Sequence, residues 1–320
     1  MPAIDFFSTH IENQMKKHDY HLYPYFYAMI NYNPKQWFLV LTRINKADTL
    51  IKLLPLLIFM ACYSGLIVFL EVDVFKLEES HEMKNIPQMH SLLGFAISML
   101  LVFRTNTAYD RWWEGRKAWG ALINNSRNLA IHINSILPRE DTKDRSFFRK
   151  LIPRFAEELR AHLLNESTRL ELDEDPHPEI PNFDTSKHVP VQVASLLLNK
   201  VNILHKEGKI GDAQLITLDV ELNAFMDICG TCERIKNTPI PYSYSSFIKK
   251  FIFAYMLTMP LGLALSLGYI AIPIVVFMFY ILASLELIAA EIEDPFGKDE
   301  NDLPMQRLAA TIKKSVGDIL

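Results

Sequence analysis

Two cysteines spaced as CxxC are the first residues of this sequence whose types suggest chemistry. Cys229 and Cys232 lie in a segment with helical periodicity, so their i, i+3 spacing places both thiols on one face. A structural zinc site would need two further ligands, and the neighbouring sequence offers neither a second CxxC nor a pair of histidines. Two interpretations stay open: packing of two small side chains, and redox sensing through a thiol of lowered pKa.

A run of acidic residues follows the last apolar segment. The sequence ELIAAEIEDPFGKDENDLP carries Glu286, Glu291, Glu293, Asp294, Asp299, Glu300 and Asp302. Oxygen ligands on a loop with proline and glycine are what calcium prefers, although the spacing of an EF-hand loop is absent. Carboxylates that are simply solvated, or that complement a helix end, are the alternative interpretation.

The sequence lacks the motifs of the common enzyme classes. No Ser/His/Asp arrangement, glycine-rich phosphate loop or HExxH occurs, and only 11 of 320 residues are glycine. The formal net charge is −4, and no part of the chain is strongly basic, which gives no support to nucleic-acid binding. The sequence therefore predicts neither an enzyme nor a nucleic-acid-binding protein.

A third set of residues suits the control of ion passage. Phe95, Met99 and Phe103 recur every fourth residue in the uncharged run 85–103, which continues without a turn residue into the charge-dense RTNTAYDRWWEGRKAWG. Such a stripe either packs against a neighbouring helix or forms a hydrophobic constriction in a pore. The residues alone leave both interpretations open.

Three uncharged runs must position these side chains: residues 53–70, 85–103 and 251–285. The second run would be roughly 28 Å long as a helix, close to the ~30 Å hydrocarbon core of a bilayer. The third is too long for one crossing and should turn back at Gly268–Ile270. The sequence thus predicts four spans, at about residues 53–70, 85–103, 251–267 and 270–285.

The charges that flank these spans predict their orientation. Basic residues precede the first and third spans and follow the second, which are ends on one side of the membrane: Arg43, Lys46, Lys52, Arg104, Lys249 and Lys250. The loop after Leu70 is acidic instead. By the positive-inside rule both termini should face the cytoplasm.

The region 104–250 should form a large cytosolic helical bundle. Its periodicity predicts helices near residues 108–136, 143–172, 191–206 and 212–236, followed after the last span by a cytosolic segment at 286–320. The predicted fold is therefore all-α: a four-span membrane protein with a cytosolic helical bundle.

Three runs carry a family resemblance. SLLGFAISMLLVFRTNTAYDRWWEGRKAWG, GTCERIKNTPIPYSY and EIEDPFGKDENDLP resemble, in that order and spacing, the bacterial members of the bestrophin family. The similarity covers about residues 29–320, including NPKQWFLVL, and leaves residues 1–28 as an N-terminal extension of unknown role. The resemblance implies a homopentamer in the inner membrane, with one axial pore lined by the second span. Its implied partners are the lipid bilayer, the other subunits and small monovalent ions.

The resemblance also assigns site residues. Phe95, Met99 and Phe103 correspond to the family's hydrophobic neck, and Ala213 to its cytosolic constriction, which five alanines should make wide. Arg104, Thr105 and Asn106 are expected to flank the neck. In that position Arg104 could attract anions, or be neutralised by Glu114 or Asp110.

Calcium is the one metal that the resemblance suggests. Asp299 and Asp302 align with acidic positions of the calcium clasp of animal members, but Lys298 stands where an acid is expected, and bacterial members generally lack the complete clasp. The expectation is therefore a channel that needs no cofactor, with calcium control as an option.

The family label implies chloride conduction, and cation conduction is also known among bacterial members. The competing prediction is a non-conducting scaffold or sensor whose spans only anchor the cytosolic helices. An alternating-access carrier is disfavoured, since no pair of broken helices occurs in inverted halves.

Overall fold

The computed structural model describes residues 49–76, 86–165, 178–180, 183–184 and 186–320. The predicted N-terminal extension 1–28, the NPKQWFLVL motif and most of the acidic loop after the first span lie outside these ranges. Within them every regular element is helical, as the sequence predicted.

Eight α-helices follow one another along the described chain. They are α1 (Thr49–Phe69, continued by a π-helical turn at Leu70–Val74), α2 (Ile86–Ile136), α3 (Thr142–Leu163), α4 (Val189–Lys206), α5 (Asp212–Asn237), α6 (Tyr242–Leu267), α7 (Ala271–Glu293) and α8 (Met305–Ile319).

Three stretches of the described residues are long and apolar enough to cross a membrane: Thr49–Val74, Gln88–Ile136 and Tyr242–Glu293. The third contains a short 3₁₀ turn at Gly268–Ile270, where the sequence predicted the chain to turn back. Gly268 has φ 55°, a conformation that glycine adopts without strain. Because α6 and α7 pack against each other, this stretch provides two antiparallel passes.

Helix α2 is the longest element and joins the two halves of the molecule. Its 51 residues run from the apolar segment into the charged one without interruption, a length of roughly 76 Å. Its first half packs against α6 and α7, and shares with α1 a core that includes Met60, Ile97, Met256 and Val275.

The second half of α2 lies in the helical bundle formed with α3, α4, α5 and α8. Trp119 and Leu122 of α2 are fully buried there, and the rings of Phe155 and Phe225 meet edge to face at 4.9 Å. The second half of α2 is thus packed in a core of its own, separate from the core of the membrane layer.

One predicted helix end is wrong. The sequence predicted a helix to residue 172, whereas α3 ends at Leu163. Asn165 has φ 52°, and a residue in the left-handed region just after a helix closes its last turn. The other end of α2 lies at Ile136, two residues before the proline that was expected to stop it.

Candidate functional site

The predicted neck residues lie on the face of α2 that its own subunit leaves uncovered. Phe95, Met99 and Phe103 are 72%, 51% and 53% exposed, whereas Ile97 and Leu101 are buried. At about 100° per residue the exposed and the packed sets point in directions roughly 180° apart. The stripe therefore faces away from the core of the chain.

The exposed face of α2 carries no charged side chain near the stripe. Between Gln88 and Asp110 the titratable groups other than Tyr109 are His90 and Arg104, and both are buried. The His90 ring lies 3.1 Å from the Thr258 hydroxyl on α6. An ion that passes along this face would meet apolar side chains and then the exposed amide of Asn106.

Arg104 is not placed where the sequence predicted. Its side chain is 1% exposed on the packed face of α2, so it does not flank a pathway along the stripe. Its Nη2 donates to Oε2 of Glu293 at 2.6 Å, and its Nε lies 3.5 Å from Oε2 of Glu286. The predicted partners lie elsewhere, since Glu114 pairs with Arg234 and Asp110 is exposed.

The three polar residues that were predicted to flank the neck therefore lie on different faces of α2. The Thr105 hydroxyl donates to the carbonyl of Leu101 at 2.9 Å, back onto its own helix. Asn106 is exposed and continues the direction of Phe103, one turn further along α2. Asn106 is therefore the one of the three that lies on the exposed stripe.

The predicted cytosolic constriction begins a second exposed stripe. Ala213 lies in the first turn of α5 and is exposed. Ile216 and Val220 follow at i+3 and i+7 and are 69% and 64% exposed. The sequence analysis missed these two residues, although they are the aliphatic residues of α5 that do not belong to its buried face.

Arg111 links the two helices that carry these stripes. From α2 its guanidinium donates to the carbonyl of Glu293 at the end of α7 and to the carbonyls of Ile235 and Thr238 at the end of α5, at 2.5–2.9 Å. A cation at two helix C-termini matches the negative ends of both dipoles. No local pattern indicates this role, because each partner lies more than 120 positions away.

The acidic segment after α7 packs against α2. The Trp112 indole donates to the carbonyl of Asn301 at 3.0 Å, and the Phe296 ring lies only 3.0 Å from where a Cβ on Gly115 would stand. The side-chain amide of Asn301 also donates to Glu291 near the end of α7 at 2.7 Å, and Glu291 accepts from Lys52 of α1 at 2.6 Å. This segment therefore ties α1, α2 and α7 together.

Asp299 and Asp302, the predicted calcium residues, are joined by a hydrogen bond from the backbone of the first to the side chain of the second. The N–H of Asp299 donates to Oδ2 of the buried Asp302 at 2.5 Å, while Oδ1 of Asp302 is buried without a partner. Burial raises the pKa of the Asp302 carboxyl to about 7. The charges of Asp299, Asp294 and Glu291 add to this rise, and the donated N–H opposes it.

Cys229 and Cys232 are both buried in the core of the bundle. Burial, with a smaller contribution from the charge of Glu233, raises the pKa of each thiol to about 12. Thiolate is therefore scarce at neutral pH, which favours the packing interpretation over redox sensing.

A family model described as "Bacterial/Fungal Bestrophin protein" matches residues 29–318. The chain belongs to the bacterial and fungal bestrophin family. The matched residues include both exposed stripes, the Arg104 and Arg111 contacts and the acidic segment.

Two bacterial relatives of this bestrophin are named voltage-dependent anion channel-forming proteins. The relative from Nostoc sp. strain PCC 7120 is 35% identical over 73% of this chain and 80% of its own length. The relative from Ralstonia nicotianae is 31% identical over 86% of this chain and 89% of its own.

Solved structures share the fold of this bestrophin. A point mutant of a bacterial bestrophin homologue from Klebsiella pneumoniae is 25% identical, covers 83% of this chain and 98% of its own, and superimposes with a TM-score of 0.72. A second point mutant of a Klebsiella pneumoniae homologue is 26% identical over 81% and 97%, with a TM-score of 0.70. The likeness extends over the membrane helices and the helical bundle together.

Proposed function

We propose that this chain assembles as a homopentamer and conducts anions, chloride among them, through an axial pore lined by the exposed face of α2. The stripe of Phe95, Met99 and Phe103 is the observation that carries this proposal. It exposes three large apolar side chains directly opposite the packed face of a membrane-spanning helix. Family membership and the channel names of the relatives support the same function, and agree with the prediction that the chain is no enzyme.

In this pentamer the stripe forms a neck. Eight residues of helix rise separate Phe95 from Phe103, so five copies make three apolar rings over roughly 12 Å of pore. A narrow apolar tube of this length expels water and blocks ions, and it conducts when it widens. The neck is therefore the gate in our proposal.

The anion preference rests on the names of the relatives. The described face from Gln88 to Tyr109 carries no carboxylate, and Arg104 is neutralised by its partners in the chain, but the exposed Asp110 follows Asn106 one turn further along the same stripe. An apolar neck itself discriminates little by the sign of an ion. Weak discrimination, with some cation conduction, is consistent with this arrangement.

Ala213 forms the second constriction in our proposal, together with Ile216. Ile216 lies one turn further along the same exposed stripe and is much bulkier, so five copies of Ile216 narrow a passage that five alanines leave wide. The helical bundle that holds this stripe lies on the cytoplasmic side of the inner membrane, with both termini on that side.

We keep calcium as a proposal for the loop around Asp299 and Asp302. The Oδ1 atom of Asp302 is buried without a partner, which favours a bound cation. The Oδ2 atom accepts from the N–H of Asp299, which favours a loop held by hydrogen bonds without a cation. If calcium binds here, it should raise the melting temperature of the wild type at pH 7.5 and leave that of Asp302→Asn unchanged.

Recording from purified protein in planar bilayers tests the function. With a tenfold KCl gradient, we expect a reversal potential displaced toward the chloride equilibrium value, which is about 59 mV in magnitude for perfect selectivity. Displacement toward the potassium value would reverse the proposed selectivity. Absence of current would favour the non-conducting scaffold instead.

The mass of the protein in detergent tests the assembly separately. A homopentamer has five times the chain mass of 36.9 kDa after correction for bound detergent. A monomer or a dimer would contradict the proposed pore, because neither encloses an axis with five copies of the neck.

A further inference from the structure

Three helices of the cytosolic bundle meet at a cluster of two histidines and one carboxylate. His162 lies in the last turn of α3, His188 caps the N-terminus of α4, and Glu233 lies near the end of α5. Oε1 of Glu233 lies 2.7 Å from Nε2 of His162 and 2.6 Å from Nε2 of His188. The two imidazole rings are tilted by 46°, with centroids 4.3 Å apart.

We propose that His162, His188 and Glu233 bind a divalent transition-metal ion of the zinc type. The three ligand atoms all lie within 4.8 Å of one another. Two imidazole nitrogens and one carboxylate oxygen are a ligand set that zinc takes, with water in the fourth position. All three side chains are partly exposed, so an ion and its water can reach the cluster.

The distances require only a small opening of the cluster. A tetrahedral zinc site with metal–ligand bonds of about 2.0–2.1 Å has ligand–ligand edges of roughly 3.3 Å. The two measured contacts would therefore lengthen by about 0.6 Å, and the two imidazole nitrogens, which lie within 4.8 Å of each other, would settle at the same edge length. Rotation of partly exposed side chains supplies this movement without any shift of the helices.

The helices around the cluster are already fixed relative to one another. Lys236, one turn beyond Glu233, donates to the carbonyl of Leu163 and lies 3.2 Å from Oδ1 of Asn165. Arg111 holds the same end of α5 through the carbonyl of Ile235. An ion would thus bind to a preformed site and not have to gather its ligands.

The protons of the two histidines must be accounted for. Without metal, Nδ1 of His188 accepts from the N–H of Val191 at 3.3 Å, so its Nε2 carries the proton that it shares with Glu233. Metal binding at Nε2 moves that proton to Nδ1 and gives up the long capping bond. The Nε2 of His162 shares a proton with the same carboxylate oxygen, so this imidazole must also move its proton to Nδ1 when the metal binds. No net proton leaves a neutral imidazole in this step.

A metal ion at this cluster would stabilise the helical bundle, whether or not the pore conducts. Helix α5 begins at the exposed stripe of Ala213 and ends at the carbonyls held by Arg111. An ion at Glu233 would clamp α5 to α3 and α4 and so stiffen the wall that carries the second constriction.

Calorimetric titration of the full-length protein with zinc chloride, after treatment with a chelator, tests the proposal. We expect saturable binding of one zinc per chain and a zinc-dependent rise in melting temperature, with no such rise for magnesium. Cobalt(II) at the same site should show the visible absorption of a tetrahedral complex, which zinc should abolish.

Two variants remove ligands with little disturbance of the fold. Glu233→Gln keeps an oxygen acceptor, and His188→Asn keeps a residue that caps helices well. Each should weaken zinc binding at least tenfold, whereas His132→Gln, a histidine on α2 outside the cluster, should leave it unchanged. Unaltered zinc affinity in both ligand variants, or no saturable binding by the folded wild type, would overturn the proposal in favour of a triad that is only hydrogen-bonded.

Discussion

At the scale of single residues, the groups beside the neck are paired within their own chain. Arg104 is the charge closest to the stripe, yet it lies on the opposite face of α2 and is neutralised by Glu293 and Glu286 of α7. The second oxygen of Glu293 accepts from the N–H of Ile240 at 2.8 Å, which completes its contacts. Arg104 thus holds helices together and does not attract ions.

Replacing Arg104 by methionine should destabilise the protein strongly. The change leaves the partly buried carboxylate of Glu293 without a counter-charge and the buried Glu286 with only Lys249 at 3.9 Å, a loss of about 3–5 kcal/mol. Arg234→Gln is the matched control, because its pair with Glu114 lies at the surface and contributes at most about 1 kcal/mol. Melting temperatures in detergent measure both variants, and similar decreases would contradict the buried role of Arg104.

Asp302 should make stability depend on pH. Its folded-state pKa of about 7 lies above the ordinary 3.8, so the folded protein retains a proton that the unfolded chain loses. Stability therefore falls as pH rises from about 4 to 7, by at most about 1.4 kcal/mol per pH unit.

The variant Asp302→Asn tests this dependence, because it keeps the oxygen that accepts from the Asp299 N–H but cannot titrate. Melting curves at pH 5, 6, 7 and 8 should show the wild type losing stability relative to the variant up to pH 7 and no further beyond it. Parallel pH profiles for the two proteins would show that Asp302 is ionised like an ordinary carboxyl.

At the scale of elements, helix α2 joins the membrane layer to the bundle, and the acidic segment clamps it where the two meet. The clamp depends on Gly115, since the Phe296 ring and Leu303 lie 3.0–3.3 Å from the position of an added Cβ. A close approach of this kind lets a loop pack directly against a helix backbone.

Gly115→Ala should therefore destabilise the protein by roughly 1–3 kcal/mol, as an overpacked site does. Gly230→Ala on α5 is the control, and it should stabilise the protein, because nothing lies within 4 Å of its added methyl group. Alanine in a helix interior there should add about 0.5–1 kcal/mol. Melting temperatures that move in the same direction for both variants would contradict the clamp.

Local patterns predicted most elements, and long-range contacts account for what they missed. The turn at Gly268, the end of α2 before Pro138 and the start of α5 all followed from residues within a few positions. The shared face of Phe95, Met99 and Phe103 could be predicted because helical periodicity is local, whereas the residues alone left open whether that face packs or is exposed.

The residues that sequence reasoning misplaced or missed depend on distant partners. Arg104 meets Glu293 189 positions away, and the local candidates Glu114 and Asp110 were closer in sequence but lie on other faces of α2. Arg111 and the cluster of His162, His188 and Glu233 likewise draw on helices that only the packed bundle brings together. Charge and spacing within a segment carry no information about such pairs.

At the scale of the whole molecule, one rigid connection runs between the two proposed constrictions. The neck stripe lies on α2, the stripe of Ala213, Ile216 and Val220 lies on α5, and Arg111 ties the second half of α2 to the end of α5 and to α7. In a pentamer, movement of the bundle would therefore be transmitted to the neck through α2, which has no break in which to absorb it.

Bilayer recordings of neck variants test directly whether Phe95, Met99 and Phe103 form the gate of the pore. The combined change of Phe95→Ala, Met99→Ala and Phe103→Ala removes the three apolar rings but leaves the packed face of α2 intact. The matched control is the combined change of Leu54→Ala, Ile58→Ala and Leu66→Ala, which alters equally exposed apolar side chains on α1.

We predict that the neck variant passes a larger and more continuously open current than the wild type, because a wider and shorter apolar tube stays hydrated. The α1 variant should keep the wild-type current. A neck variant that conducts like the wild type, or an α1 variant that shows the same increase, would contradict the assignment of this stripe as the gate of the pore.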